Sequence, residues 1–152
     1  LGYTQKDISQ GLGLKEKIDW NSAILDAKSA VDFFAAQGPT AIVGYCWGGS
    51  ISWLAASRFD NLSCAVSYYG GQIIQFIKEK PQCPTMLHFG ELDSGIPLRD
   101  VSQITSHHPT AEVFTYTEAD HGFNCDRRGN FHEISSKLAE SRTLTFFQKN
   151  MN

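Results

Sequence analysis

The sequence predicts an α/β domain built on a parallel sheet of about four strands, with helices on both faces. Three observations support this. Short apolar runs rich in β-formers alternate along the chain with segments whose apolar residues recur at helical spacing. The joints between them are short and hold Gly, Pro, Asp and Asn. The 152 residues fit one domain (1–152), with no internal repeat, low-complexity tract or linker to divide them.

Residues 1–17, with Gly2, Gly11 and Gly13 among polar neighbours, form a poorly patterned lead-in. Asp19 to Gln37 reads as a helix in which Ile24, Ala27, Val31 and Phe34 line one buried stripe. Gly38 supplies its left-handed cap and Pro39 prevents continuation. Thr40–Cys46 is an apolar run suited to a strand covered on both faces. Gly48–Arg58 is a helix with Ile51, Leu54 and Ala55 on one side. Ser63–Tyr69 follows as a strand, Gln72–Lys80 as a helix and Thr85–Phe89 as a strand. Leu98–His107 turns Leu98, Val101 and Ile104 inward as a helix, and Glu112–Thr117 alternates like a strand. Phe131–Gln148, with Ile134, Leu138, Leu144 and Phe147, closes the chain as a helix.

Composition removes several functions. The formal net charge is −3, and no block of Lys or Arg offers a footprint for nucleic acid or an anionic membrane. The longest apolar runs, such as Ala41–Val43 and Ile73–Ile74, are far too short to span a bilayer. With 41% hydrophobic residues, the chain has the apolar surface that a disordered segment lacks. Cys46, Cys64, Cys83 and Cys125 are scattered without a C-x-x-C pair, which argues against a disulfide framework or structural zinc and for a reducing, cytoplasmic setting. The chain opens at Leu1, so an upstream targeting segment is left open.

In open parallel sheets, ligands bind beyond the carboxyl ends of the strands. The first strand is followed by G-Y-C-W-G-G (Gly44–Gly49), the third by F-G-E-L-D-S-G-I-P (Phe89–Pro97) and the fourth by D-H-G-F (Asp120–Phe123). G-x-C-x-G at a strand-to-helix junction has the form of a nucleophile elbow with cysteine at its centre. Gly44 and Gly48 are expected because side chains there collide across the tight crossing. The following helix points its positive end at Cys46, and the Trp47 N–H can face a developing oxyanion. A free thiol is only about 3% ionised at pH 7, so lowering its pKa by roughly two units makes thiolate the major form. His121 is then the candidate general base and acid, and Asp93 the group that orients it. The plain alternatives are an inert Cys46, a structural His121 and an Asp93 that serves only the turn. His88 reads as a hydrogen-bonded core histidine, His107 and His108 as helix-end or surface residues, and His132 as the first turn of a helix. A metal site from Cys46, His121 and Cys125 matches no zinc spacing.

These motifs resemble the dienelactone hydrolase (carboxymethylenebutenolidase) family of the α/β-hydrolase superfamily. The likeness runs through G-Y-C-W-G-G, A-V-S-Y-Y-G (Ala65–Gly70), P-T-M-L-H-F-G-E-L-D (Pro84–Asp93), Ile96–Pro97, D-H-G-F and E-S-R-T-L-T-F-F (Glu140–Phe147). It is continuous from about Ile18 to Phe147, and the cysteine elbow is its most specific part. The order nucleophile, acid, histidine is also that of α/β-hydrolases. The resemblance implies Cys46 as nucleophile, Asp93 as triad acid and His121 as triad base, with Tyr68 and Tyr69 near the substrate pocket. It implies an ester or lactone as substrate and no cofactor, since acyl transfer by a thiol–imidazole pair needs none.

Two departures stand out. Family members begin with additional strands, so the chain resembles a C-terminal portion of the full fold. The upstream part normally supplies a glutamate that helps activate the thiol, a second oxyanion-hole N–H and an arginine for the substrate carboxylate. An arginine that some members place four residues past the histidine is replaced by Cys125, leaving Arg127 or Arg128 as substitutes. Strand 40–46 would then be an unprotected edge, to be covered by residues 1–16 folding back, by a missing N-terminal segment or by another copy of the chain. The expected function is a cysteine hydrolase of esters or lactones. The rivals are a catalytically weak fragment or scaffold, and a redox-sensing thiol protein pairing Cys46 with Cys125.

Overall fold

Four strands pair in parallel in the order β1-β2-β3-β4: β1 (Ala41–Tyr45), β2 (Cys64–Tyr68), β3 (Thr85–Gly90) and β4 (Glu112–Tyr116). The computed structural model describes residues 2–151. Helices α1 (Gln5–Lys15) and α2 (Trp20–Ala35) precede the sheet, α3 (Trp47–Arg58) links β1 to β2, and α4 (Leu98–His107) links β3 to β4. Helix α5 (Glu133–Asn150) follows β4. Neighbouring parallel strands taken in sequence order place their right-handed connections on one face. Helix α3 accordingly packs on β1 and β2, while α5 packs on β2 and β3 from the other side. Every residue of β2 and β3 is buried, which explains why both are mainly apolar, with Ser67, Thr85 and His88 as their buried polar residues.

Alternation along the strands divides the core. Tyr68 and His88 sit opposite each other in the β2–β3 register and both reach Thr143 of α5. The Thr143 hydroxyl lies 2.7 Å from the Tyr68 hydroxyl and 3.1 Å from His88 Nε2, and His88 Nδ1 lies 2.8 Å from the Tyr116 hydroxyl. His88 is a fully buried core histidine, its pKa pushed down to about 3 by burial and by the Arg142 charge.

Three segments differ from the sequence reading. The lead-in holds α1, opened by a capping box in which Thr4 and Asp7 satisfy each other's backbone N–H groups. Gly11 and Gly13 within it, and the lack of any buried residue, explain why no periodicity announced it. Leu1 lies outside the described residues. Gln72–Lys80 forms only a single 3₁₀ turn, Ile73–Phe76, since Gly70–Gly71 precede it and Pro81 follows. His108 is buried rather than superficial: its Nε2 donates to the Ile77 carbonyl at 2.7 Å and its ring meets Trp53.

Among the described residues, strand β1 pairs only with β2. The Cys46 N–H donates to the Tyr68 carbonyl at 2.9 Å, which fixes the parity of the strand. Residues 42, 44 and 46 turn their backbone groups toward β2, so Ala41, Val43 and Tyr45 turn theirs to the open edge. Residues 5–15 are helical and add no strand there.

Candidate active site

β1 ends at Tyr45 and α3 begins at Trp47, so the chain reverses within the single residue Cys46, which has φ 56° and ψ −118°. Such a conformation costs a non-glycine residue about 1–3 kcal/mol and persists only where its surroundings impose it. Those surroundings are close. A Cβ on Gly44 would stand 1.9 Å from the Gly48 carbonyl oxygen, so strand and helix can cross here only through glycine. The collision expected at Gly48 does not occur, because a Cβ there meets nothing within 4 Å. The second constrained glycine is Gly49, whose Cβ would lie 2.6 Å from the Tyr68 carbonyl oxygen and 2.7 Å from Ser67 Oγ.

The elbow presents the sulfur to a histidine arriving from the far side of the sheet. His121 follows β4 on a loop anchored by Asp120, whose carboxylate accepts the His121 N–H at 2.6 Å and an Asn130 amide N–H at 3.0 Å. His121 Nε2 lies 3.1 Å from Cys46 Sγ, and His121 Nδ1 donates to Asp93 Oδ2 at 2.7 Å. Asp93, after β3, is buried, and its other oxygen accepts the Gly95 N–H at 2.9 Å. The β3 and β4 ends meet tightly enough for this because Gly90 has no side chain. A Cβ there would sit 2.5 Å from the Ala119 carbonyl oxygen.

The electrostatics favour a thiolate–imidazolium pair. Burial pushes the Cys46 thiol up, but the His121 hydrogen bond and charge, the Trp47 backbone N–H and the Lys15 charge outweigh it and hold the thiol below its ordinary value. The hydrogen bonds to Asp93 and Cys46 raise His121 to about 9 against the desolvation that would lower it. Burial pushes the Cys64 and Cys83 thiols the other way, away from reactivity.

Cys46 opens into a cavity of about 360 Å3 lined by Tyr3, Tyr45, Tyr69, Cys125 and Arg128 among others. The Tyr69 ring stands 5.1 Å from that of His121, and Tyr69 itself has φ 40°. Gly122, at φ 80°, leaves room for the Arg128 guanidinium: a Cβ at Gly122 would come within 3.3 Å of it. Two candidates are not brought to this cavity. Tyr68 points to the opposite side of β2 from Ser67 and is 1% exposed, its hydroxyl held by Thr143. Arg127 is largely exposed beside Asp126. Sequence reasoning missed Tyr3 and the Asp120–Asn130 anchor. The capping box of α1 was the one available signal for Tyr3, and nothing in the spacing marks Asn130. His132 is the residue before α5 rather than within its first turn, bonding Ser135 Oγ at 2.7 Å. Among the described residues no group of His, Cys, Asp or Glu is arranged to hold a metal ion, and no helix is long and apolar enough to cross a membrane.

An elbow after a parallel strand, with Asp93 after β3 and His121 after β4 in contact with it, has the layout of the α/β-hydrolase class. Residues 3–151 match the model of the dienelactone hydrolase family, and the chain belongs to that family. The carboxymethylenebutenolidase of Pseudomonas putida is 27% identical over 151 residues, covering 93% of this chain and 64% of its own length. A Salmonella typhimurium protein given the same name provisionally is 29% identical over 153 residues, covering 89% of this chain and 57% of its own. A Klebsiella pneumoniae structure, provisionally named a dienelactone hydrolase, superposes with TM-score 0.76 at 29% identity, over 84% of this chain and 61% of that one. The chain thus spans about 57–64% of these relatives' lengths.

Proposed function

We propose that the chain hydrolyses esters or lactones through a catalytic triad of Cys46, His121 and Asp93. The observation that supports this most directly is the unbroken contact from Asp93 to His121 at 2.7 Å and on to the sulfur at 3.1 Å. Family membership supports the same reaction class. The Cys46 thiolate attacks the acyl carbon, and the carbonyl oxygen becomes an oxyanion facing the Trp47 N–H and the positive end of α3. The His121 imidazolium gives its Nε2 proton to the departing alkoxide, leaving a thioester on Cys46. Neutral His121 then takes a proton from water as that water attacks the thioester, and Asp93 holds the imidazole in the required tautomer. The thiolate is regenerated as the acid leaves, and no redox or metal step is required.

Arg128, against the backbone that follows His121, is our candidate for recognising an anionic group on the substrate. The test of the whole reading is turnover of a p-nitrophenyl ester with a cysteine-dependent burst. Cys46→Ala should remove both burst and turnover, and equal turnover by Cys46→Ala and the unaltered chain overturns the proposal. Arg128→Gln should raise KM for a carboxylate-bearing ester by about tenfold while leaving a neutral ester unaffected.

A further inference from the structure

Asp120 acts at two ends of the site. Its Oδ1 accepts the His121 N–H at 2.6 Å, and its Oδ2 accepts an Asn130 amide N–H at 3.0 Å. The same Asn130 amide reaches the His121 carbonyl oxygen at 3.4 Å, so the peptide groups on both sides of the histidine are held. The stretch closed off between these partners forms one wall of the cavity at Cys46, where Gly122, Asn124, Cys125, Asp126 and Arg128 line it. The inner part of that wall is fixed independently. The His132 N–H donates to the Phe123 carbonyl at 3.0 Å, and Ser136 Oγ donates to Asn124 Oδ1 at 2.8 Å. The outer arm, residues 125–129, is held by its own turns, with the Cys125 N–H on the Gly122 carbonyl and the Arg128 N–H on the Cys125 carbonyl. Among the described residues, the Asn130 amide is the hydrogen-bonding group that ties the end of this arm back to the start of the loop. A Cβ on neighbouring Gly129 would meet nothing within 4 Å, so close packing at that point does not take the amide's place.

Resting on the hydrolase reading, we propose that Asp120 and Asn130 are positioning residues, with the duties divided between the two oxygens of one carboxylate. Oδ1 sets how His121 meets Cys46, and Oδ2, through Asn130, sets where the wall carrying Cys125 and Arg128 stands against the substrate. The first duty follows from reach. His121 Nε2 lies 3.1 Å from the sulfur while Nδ1 is engaged with Asp93, so the ring has one workable position and its backbone must supply it. A misplacement of about 1 Å in such a contact can cost on the order of 10²-fold in rate. The second duty follows from the chemistry of the pair. Both bonds end on a carboxylate, which makes them stronger than bonds between neutral groups. An amide fits at position 130 because it donates to that acid, whereas a second acid there would repel it. Moving the amide to position 120 and the acid to position 130 puts a donor opposite an acceptor again.

The experiment measures kcat and KM for a p-nitrophenyl ester, the pH midpoint of Cys46 alkylation by iodoacetamide, and the rate of trypsin cleavage after Arg127 and Arg128. Asn130→Ala and Asn130→Asp should raise KM about three- to tenfold, with kcat within about twofold of the parent. Both should speed trypsin cleavage by a similar factor, because the arm opens more often. The exchanged pair Asp120→Asn/Asn130→Asp should bring KM back to within about twofold of the parent. Residues that merely steadied the fold would not give that recovery. Asp120→Ala frees the histidine as well, and should lower kcat at least about tenfold and shift the alkylation midpoint upward. Removing a negative charge alone would move that midpoint down, so an upward shift reports the displaced imidazole. An unchanged KM in Asn130→Ala, an exchanged pair no better than Asn130→Asp, or a midpoint in Asp120→Ala that stays or falls each overturns the proposal. Asn130 is exposed, so its variants carry the test even where Asp120→Ala folds poorly. Trypsin and iodoacetamide need no ester. If both respond as stated while no ester is cleaved in a cysteine-dependent way, the hydrolase reading falls and the two duties of Asp120 stand.

Discussion

Cys46 and His121 lie 3.1 Å apart, and each favours the charged form of the other. His121 is raised to about 9 from an ordinary 6.5, so the stability it contributes is complete below about 6.5 and is lost as pH rises through about 9. Cys46 is lowered from 9.0, so its contribution is complete above 9.0 and is lost as pH falls through its depressed value. On the triad reading, kcat/KM for ester cleavage should follow a bell whose alkaline limb falls near pH 9, where His121 loses its proton. Replacing His121 by Gln removes the hydrogen bond and charge that hold the thiol down. Alkylation of Cys46 by iodoacetamide should then slow by about tenfold at pH 7 and shift its midpoint upward. Asp93→Asn, which keeps the shape but not the charge behind the imidazole, should cost about 10³–10⁴-fold in kcat with little change in KM. That Cys46, Asp93 and His121 meet was legible in the sequence because each stands just past a strand in a motif with its own turn chemistry. Tyr68 and Tyr69 were not separable, since adjacent strand residues face opposite sides and only the register says which faces the site.

The β1–α3 junction gives the elements their sharpest constraint. Spacing in the sequence marks Gly44 and Gly48 and passes over Gly49, because it cannot say where a missing Cβ would have pointed. The backbone answers that: Gly44 and Gly49 face backbone oxygens at 1.9 Å and 2.6 Å, and Gly48 faces open space. Gly44→Ala and Gly49→Ala should therefore yield little folded protein, whereas Gly48→Ala should fold, with its circular dichroism spectrum and melting curve close to those of the parent. Helix α1 illustrates the opposite limit of legibility. Its cap is a local signal, Thr4 with Asp7, yet its body has two glycines and buries nothing, so there was no apolar period to read. The segment after β2 failed for a related reason. Ile73, Ile74, Phe76 and Ile77 are apolar enough for a helix, but Gly70–Gly71 and Pro81 leave room for only one tight turn.

Across the whole molecule, β2, β3, β4 and α5 are tied together by one buried polar cluster. Thr143 is its hub, touching both the Tyr68 hydroxyl and His88 Nε2. Thr143→Val keeps the shape but leaves two buried polar groups short of a partner, which should cost about 2–4 kcal/mol and lower the melting temperature by about 5–15 °C. The four-strand plan was readable because alternating element types dictate a parallel sheet. The opposite margin of that sheet has no such bond. Val43 and Tyr45 point their amides away from β2, so in a dilute sample these should exchange with deuterium much faster than Ile42 and Gly44; equal protection of all four would mean the margin is occupied. That bare margin has a practical corollary in crowding. Nothing charged and no proline stands along it to turn a neighbour away, so light scattering from the chain should climb with its own concentration well before any loss of helical signal.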